Sequence, residues 1–461
     1  MLEKPLLSDE DPTDNKRRNE KSNKKENEKV LSRNVPIALG FTGLAFISRS
    51  LWNQNVLSMF IYQVSGYDSR VIGYITSFMG LAQLAASFPS GYLSDKYRRD
   101  TVIRCSAVVG IVSIALVVSS IALKNLYFIA GAFAVVGTYW GLTTTSISAL
   151  FADSLLEEDR SKYITWRYTI QKIGNLAAPL LAITVFAFSK NHWSEDDCAC
   201  TIYISQGLCL FSTILPCFMS DDFALSDQES STLSQSNTSD DESLSESSLR
   251  SADCENQLCF SDERDKNEPS DEAYDKVIPF CICLADILQG FANGMSVQFF
   301  PVFFAKTLQM RPIYVQIVYF CSQSGQACGS ILSEKIGTFI GRCQAAAALR
   351  VLGAVVLSCM ILTKKLGAST PIVCTLYVVR MILTNSSVPL TGTVLMNNVP
   401  KNYRGRWGSL DSLVKASWSG SALLGGLIIH KFGIYSVFYV TIAIQMVATI
   451  PLFFLFKRVQ K

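Results

Sequence analysis

Long apolar runs bounded by polar turns dominate this chain, and their lengths set the expected elements. Six runs read as helices near Val35 to Tyr62, Val71 to Leu93, Thr101 to Leu123, Leu126 to Phe151, Tyr163 to Phe188 and Thr201 to Met219. Six more lie near Lys276 to Phe304, Ile313 to Leu332, Cys343 to Thr363, Pro371 to Met396, Gly408 to His430 and Ile434 to Phe456. At roughly 1.5 Å of rise per helical residue, runs of this length cross a bilayer. The pattern predicts an all-α membrane protein with twelve transmembrane helices in two six-helix halves.

Two stretches break the pattern. Residues 1–34 mix Lys16, Arg17, Arg18, Lys21, Lys24, Lys25 and Lys29 with acids and few apolar residues, which reads as a disordered cytosolic tail. No apolar stretch closely follows its first positive charges, so it is not expected to be a cleavable signal peptide. Glu3-Lys4-Pro5-Leu6-Leu7 resembles the acidic dileucine signals that route membrane proteins to endosomes, lysosomes or vacuoles, one residue short of their spacing. An incidental apolar pair reads equally well. Residues 220–275 are rich in Ser, and Asp and Glu outnumber bases there, the composition of a disordered linker that cannot bury a core. Ser239-Asp240-Asp241-Glu242 and Ser270-Asp271-Glu272 suit an acid-directed kinase, although an unmodified spacer is the plainer reading of any single serine. The expected order is a tail (1–34), a helix bundle (35–219), the linker (220–275), a second bundle (276–456) and a cytosolic tail (457–461).

The turn Gly91-Tyr92-Leu93-Ser94-Asp95-Lys96-Tyr97-Arg98-Arg99-Asp100 is a dense charged sequence between two apolar runs. Its bases, with Arg104, place it on the cytosolic side by the positive-inside rule. Arg160, Lys162, Arg342, Lys401, Arg404, Arg406, Lys457, Arg458 and Lys461 fall on the same side, so both termini are expected in the cytosol. Gly91 would let two helix backbones approach, and Asp95 would meet a helix N-terminus or an Arg at the interface. The turn resembles the loop signature of the major facilitator superfamily, Gly-x-Leu-x-Asp-(Arg/Lys)-x-Gly-Arg-(Arg/Lys). Gly91, Leu93, Asp95, Lys96 and Arg99 match, Arg98 replaces the usual Gly and Asp100 replaces a base. The resemblance implies a parallel duplication of a six-helix unit, a cavity between the halves, and secondary active transport by alternating access. It implies gating roles for Gly91, Asp95, Lys96, Arg99, Arg160, Arg404 and Arg406. Glu158 to Tyr163 echoes Asn402 to Trp407, and superposing Arg160 on Arg404 sets Arg167 against Asp411 and Gln171 against Lys415.

Composition agrees with a polytopic membrane protein: 461 residues, 49% hydrophobic and 17% charged. Net charge of +3 averages a basic tail against an acidic centre. Most of the 14 cysteines lie inside apolar runs as small hydrophobes, which argues against a disulfide scaffold. The sequons Asn237-Thr238-Ser239 and Asn385-Ser386-Ser387 fall in the linker and in a helix, out of reach of the glycosylation machinery. The membrane is left open between plasma and endolysosomal or vacuolar.

A charge at the centre of a membrane helix costs roughly 2.5 to 3.5 kcal/mol on insertion scales, so each asks for a reason. Arg49, Lys172, Asp286, Arg380 and Lys415 lie two or more turns from either expected helix end; Arg167 and Arg350 are further candidates. They could pair across helices, Arg49 or Lys172 with Asp286 for instance. Bases outnumber acids at depth, however, and an unpaired buried base finds an anion or neutralises. Arg49, Lys172, Arg380 and Lys415, with Gln289, are therefore expected to bind an organic or phosphorylated anion, and Asp286 to carry a proton. Trp140 is a further candidate at the substrate. On the family's plan Arg350 lies on a supporting helix, which counts against a substrate contact. With His192 and His430 at membrane edges and no metal-ligand spacing or phosphate-cradling loop, no enzyme, metal or cofactor is expected. The expected partners are a small-molecule solute, the lipid bilayer and a kinase on the linker; nucleic acid is not among them, and the chain is expected to be a monomer. The reading from another class is a non-transporting membrane receptor or scaffold that signals through the acidic linker.

Overall fold

The computed structural model describes residues 32–155, 157–189, 191–223, 276–399, 410–456 and 458; within these, the side chains of Asp95, residues 157–161, Met396, residues 410–412 and Lys415 lie outside the described set. The expected terminal tail up to residue 31, the linker from 224 to 275, and Arg404 and Arg406 lie outside the described residues.

Twelve helical spans follow one another. In the N-terminal half they are α1 (Asn34–Asn53, resumed as Val56–Val64), α2 (Ser69–Lys96), α3 (Arg99–Leu123), α4 (Leu126–Asp153), α5 (Glu157–Phe188) and α6 (Glu195–Ile214). In the C-terminal half they are α7 (Val277–Val297, resumed as Phe300–Val302 and Phe303–Thr307), α8 (Pro312–Ile340), α9 (Arg342–Lys365), α10 (Thr370–Ser386, resumed as Val388–Asn398), α11 (Leu410–Phe432) and α12 (Ile434–Phe454). Among the described residues ten of these are long and apolar enough to cross a membrane; α8 and α11 are not in that group. Local chemistry fixes several starts: Asp68 accepts from the Arg70 backbone N–H at 2.9 Å, Asn125 from Tyr127 at 3.0 Å, and Ser194 from Asp197 at 3.0 Å. Gly433, at φ 85°, makes the abrupt turn between α11 and α12 that a residue with a Cβ would resist.

The spans run antiparallel in order, so the start of α1, the α2–α3 turn and the end of α6 share one face, the terminus face. The loops α1–α2, α5–α6, α7–α8 and α11–α12 share the far face. Across the halves, α2 packs on α11 and α5 on α8. The α2–α11 seam is tight towards the far face. A methyl group on Gly73 would lie 2.6 Å from the Ala422 carbonyl oxygen, and one on Gly426 2.8 Å from that of Ser69. Ser77 Oγ donates to the backbone oxygens of Ser419 and Gly420 at 3.1 and 3.2 Å and accepts from Leu423 N–H at 3.1 Å.

Other bonds between the halves cluster on the same side. Asn55, in the break of α1, exchanges two hydrogen bonds with Gln316 of α8, at 3.1 and 2.8 Å. Ser58 meets Gln298, in the break of α7, at 3.4 Å. Trp193 Nε1 donates to the Met310 carbonyl at 2.9 Å, and Lys306 Nζ sits 3.5 Å from the centre of the Tyr67 ring. At the other end of α2 the seam is gone: a methyl group on Gly91 would have no described atom within 4 Å. The residues leading into α11, 400–409, lie outside the described set, so the expected close approach at Gly91 is not seen among the described residues. The halves are closed at the far face and part towards the terminus face.

The charged turn is also shorter than the sequence implies. Gly91 to Lys96 belong to the last turns of α2, and only Tyr97 and Arg98 separate it from α3. Charged residues at the rim of a membrane still extend a helix, because water rather than hydrocarbon receives their side chains.

Candidate functional site

Where the halves part, a cavity of about 210 Å³ lies between α2, α4 and α11. Gly80, Gln83, Leu84 and Ser87 line it from α2, Gly141, Thr144, Thr145 and Ser148 from α4, and Ala416 and Ser419 from α11. The wall is mostly hydroxyl, amide and glycine backbone, unlike the lipid-facing surfaces of the same helices.

Arg49 stands behind this wall, one turn before the break in α1. Its Nη2 donates to Gln83 Oε1 at 3.2 Å, and its guanidinium carbon lies 4.3 Å from the centre of the Trp140 ring. Trp140 is buried and is braced by Phe46 at 5.8 Å and Tyr139 at 6.1 Å between ring centres. An indole face attracts a cation through its quadrupole, and an amide oxygen through its dipole, but neither carries a full negative charge. Among the described residues no carboxylate reaches Arg49. Of the expected substrate-binding residues with described side chains, Arg49 is the one joined to the cavity wall, through Gln83, a residue that the sequence reading missed. Gln83 could have been flagged as an amide inside an apolar run. Nearer the terminus face, Arg167 Nη2 donates to Ser148 Oγ at 3.1 Å, with its guanidinium 5.3 Å from the Phe151 ring centre.

The other expected residues are dispersed. Arg380 on α10 is completely buried; its guanidinium carbon lies 5.2 Å from the Phe300 ring centre and Nη1 lies 3.4 Å from the Met381 sulfur. Its Nε and Nη2 have no hydrogen-bond partner among the described residues. Phe300, Phe304, Tyr319 and Tyr377 pack against one another beside it, with Phe300 and Phe304 4.7 and 4.9 Å from Tyr377 between ring centres. Gln289 on α7 is buried with both ends of its amide unpartnered among the described residues. Lys172 is exposed on α5, 5.8 Å from the Tyr168 ring centre, and does not line the cavity. Lys415 precedes the cavity-lining Ala416, and its side chain lies outside the described set.

Asp286 pairs with neither Arg49 nor Lys172. Its partner is Arg350 of α9, which is ion-paired to Asp286 and donates from Nε to Ser387 Oγ at 3.2 Å at the break of α10. The Arg350 side chain is fully buried, whereas that of Asp286 is 25% exposed. The pair expected across helices therefore forms, with a different base, inside the C-terminal half.

At the α2–α3 turn, Arg99 is ion-paired with Asp153 at the end of α4. The two departures from the family signature engage each other: Arg98 meets Asp100 at 3.3 Å and reaches Asp222, just beyond α6, at 2.9 Å. The Ser220 hydroxyl and the Arg98 guanidinium hold the Asp222 carboxyl below its ordinary range. Lys96 is exposed and lies 5.8 Å from the ring centres of both Tyr92 and Tyr97. Asp95 and Arg160 occupy helical positions in α2 and α5, with side chains outside the described set.

Comparison with known proteins places this geometry. No curated protein matches the sequence. The fold matches the nucleoside transporter NupG with a TM-score of 0.64 at 12% identity, over 92% of this chain and 99% of that one. It matches a bacterial homologue of the iron transporter ferroportin in its inward-facing state with a TM-score of 0.62 at 13% identity, over 92% and 99% of the two chains. The same homologue in its outward-facing state gives 0.56, over 91% and 98%. A bacterial homologue of the human lysosomal transporter Spinster, inward-facing and occupied, gives 0.64 at 12% identity, over 91% and 95%. A family model described as Major Facilitator Superfamily matches residues 38–232 and 282–461. The two matched segments take in most of both halves, and the chain belongs to the Major Facilitator Superfamily.

Proposed function

We propose that this membrane transporter moves a small anion, organic or phosphorylated, by alternating access. The observation that carries the reading is Arg49: a guanidinium behind the cavity wall, joined to it through Gln83 and held by an amide oxygen and an indole face, with no carboxylate partner among the described residues. A cation in that position is stabilised when a carboxylate or phosphate joins it, and an Arg fork suits either. Arg380, shut in among aromatic rings on the far-face side, is the second anion contact, reached when the halves rock to open that face. Lys172, which does not line the cavity in this state, Lys415 and Gln289 are the further proposed contacts.

The parted terminus face supports an inward-facing assignment, with both termini in the cytosol by the distribution of bases. The higher TM-score of the ferroportin homologue's inward-facing form goes the same way. In this reading proton coupling runs through Asp286, partly exposed and ion-paired to Arg350: protonation removes one charge of the pair and frees the other. Asp95, Arg160, Arg404 and Arg406, with Gly91, Lys96 and Arg99, govern the terminus-face gate. The transporter works as a monomer in the plasma or an endolysosomal or vacuolar membrane, and its linker is open to a kinase.

Uptake into proteoliposomes tests the reading, with matched anionic and neutral solutes supplied on either side of the membrane. Accumulation of organic or phosphorylated anions that falls when Arg49 is replaced by Gln supports it. Transport confined to neutral or cationic solutes, unchanged in Arg49→Gln, overturns it.

A further inference from the structure

The hydroxyls of the cavity wall are not free to act as donors and acceptors alike. On α2 and α4 each gives its proton to a backbone carbonyl of its own helix: Ser87 to Leu84 at 2.7 Å, Thr144 to Trp140 at 2.6 Å, Thr145 to Gly141 at 2.9 Å and Ser148 to Thr144 at 2.6 Å. A carbonyl cannot donate and a hydroxyl has one proton, so the direction of these bonds is fixed. What remains on each oxygen is its lone pairs. Ser148 already uses them, accepting from Arg167 at 3.1 Å. Gln83 is the reverse case: its carbonyl oxygen accepts from Arg49, which leaves its NH₂ as the free group.

We propose that the solute is an anion whose body carries several hydroxyl or N–H donors, an inference that rests on the anion reading above. Its charged group lies towards Arg49 and the Gln83 amide, and its donors pair with the lone pairs of Ser87, Thr144 and Thr145. A solute that offered acceptors along its body would have to draw each proton off a helix carbonyl, so the bond gained is offset by the bond lost. A donor requires no such exchange. Among the lining residues only Leu84 and Ala416 bring aliphatic side chains without a hydroxyl, so a bare alkyl body gains little contact in return.

The test uses two probes with the same charged group and carbon skeleton, glycerol phosphate and propyl phosphate, binding to the full-length protein in lipid nanodiscs. Glycerol phosphate is expected to bind more tightly. Thr144→Val and Thr145→Val, which keep the shape and remove the oxygen, should shrink that preference roughly three- to tenfold each. Propyl phosphate affinity should not move, and Thr144→Ser should keep the preference. Equal binding of the two phosphates in the wild type, or a preference that survives both valine variants, would overturn the inference. If neither phosphate binds but glycerol is preferred over propanol with the same valine dependence, the anion reading fails and the donor preference stands. Binding of neither glycerol compound overturns the donor preference as well.

Discussion

Arg49 and Arg350 are both cations held inside membrane-spanning helices, and their partners differ in kind. Arg350 has Asp286 as counter-charge and Ser387 beside it, all within the C-terminal half. Arg49, in the N-terminal half, has an amide oxygen and an indole face. A cation with a counter-charge contributes to holding its helices in place, even though Arg350 Nη1 has no hydrogen-bond partner among the described residues; a cation matched only by dipoles leaves a deficit that a mobile anion can fill. On the proposed reading the difference marks Arg49 as the charge left for a solute and Arg350 as one already matched. Arg380 resembles Arg49 in this respect, since its described neighbours are rings and a thioether, which is what the anion proposal builds on.

The largest expected effect breaks the paired side. Asp286→Asn leaves Arg350 buried without a counter-charge and should destabilise the purified protein by about 3 to 5 kcal/mol in denaturant unfolding. Arg350→Gln in the same background should restore most of the loss, because no charge then remains unmatched. Wild-type stability in Asp286→Asn would mean that the pair is not holding α7 to α9.

A smaller effect concerns what keeps Arg380 covered while Arg49 stays next to the cavity. The Asn55–Gln316 exchange ties α1 to α8 at the far face, and Asn55→Ala leaves the Gln316 amide buried and unpaired. Closure of that face should weaken by about 1 to 3 kcal/mol. Amide hydrogen exchange should rise in residues 53–64 and 310–318; unchanged exchange there would show that the seam of α2 on α11 closes the face by itself.

How much of this was legible follows from which property each feature depends on. Helix positions were, because the length of an apolar run is a local property: α3, expected from Thr101 to Leu123, spans Arg99–Leu123, and α12 starts at Ile434 as expected. The breaks near Asn55, Gln298 and Ser387 were not. Each places a polar residue inside an apolar run, and for Asn55 and Gln298 the partner comes from the other half. Arg49 stood out as a deep charge, yet its contacts with Gln83 and Trp140 depend on helix rotation, and so does the pairing of Asp286 with Arg350. What surrounds Gly91 depends on how the two halves meet, a long-range property that a local sequence signature does not specify.

The smallest effect is a counterpart to the buried pair in which the base is exposed, Arg70 at 41% against Arg350 at 0%. The Asp68 carboxyl, at the far-face start of α2, is held below its ordinary range chiefly by its hydrogen bond with the Arg70 guanidinium. A lowered acid stabilises the fold above its unfolded value, roughly pH 4, and that contribution is lost as pH falls through the folded value. Asp68→Asn should flatten the acid limb of the stability curve below about pH 4 and shift the neutral melting temperature only slightly. A shift as large as that of Asp286→Asn would erase the contrast between exposed and buried pairs.

The most direct measurement is the affinity of the full-length protein for a transported anion in the wild type, Arg49→Gln and Arg49→Lys, with melting temperatures recorded alongside. The expected result is a loss of roughly 10- to 100-fold in Arg49→Gln, the size of one charge-assisted hydrogen bond, with a smaller loss in Arg49→Lys and no drop in melting temperature. Unchanged anion affinity in a folded Arg49→Gln protein would contradict the assignment of Arg49 as the anion's partner.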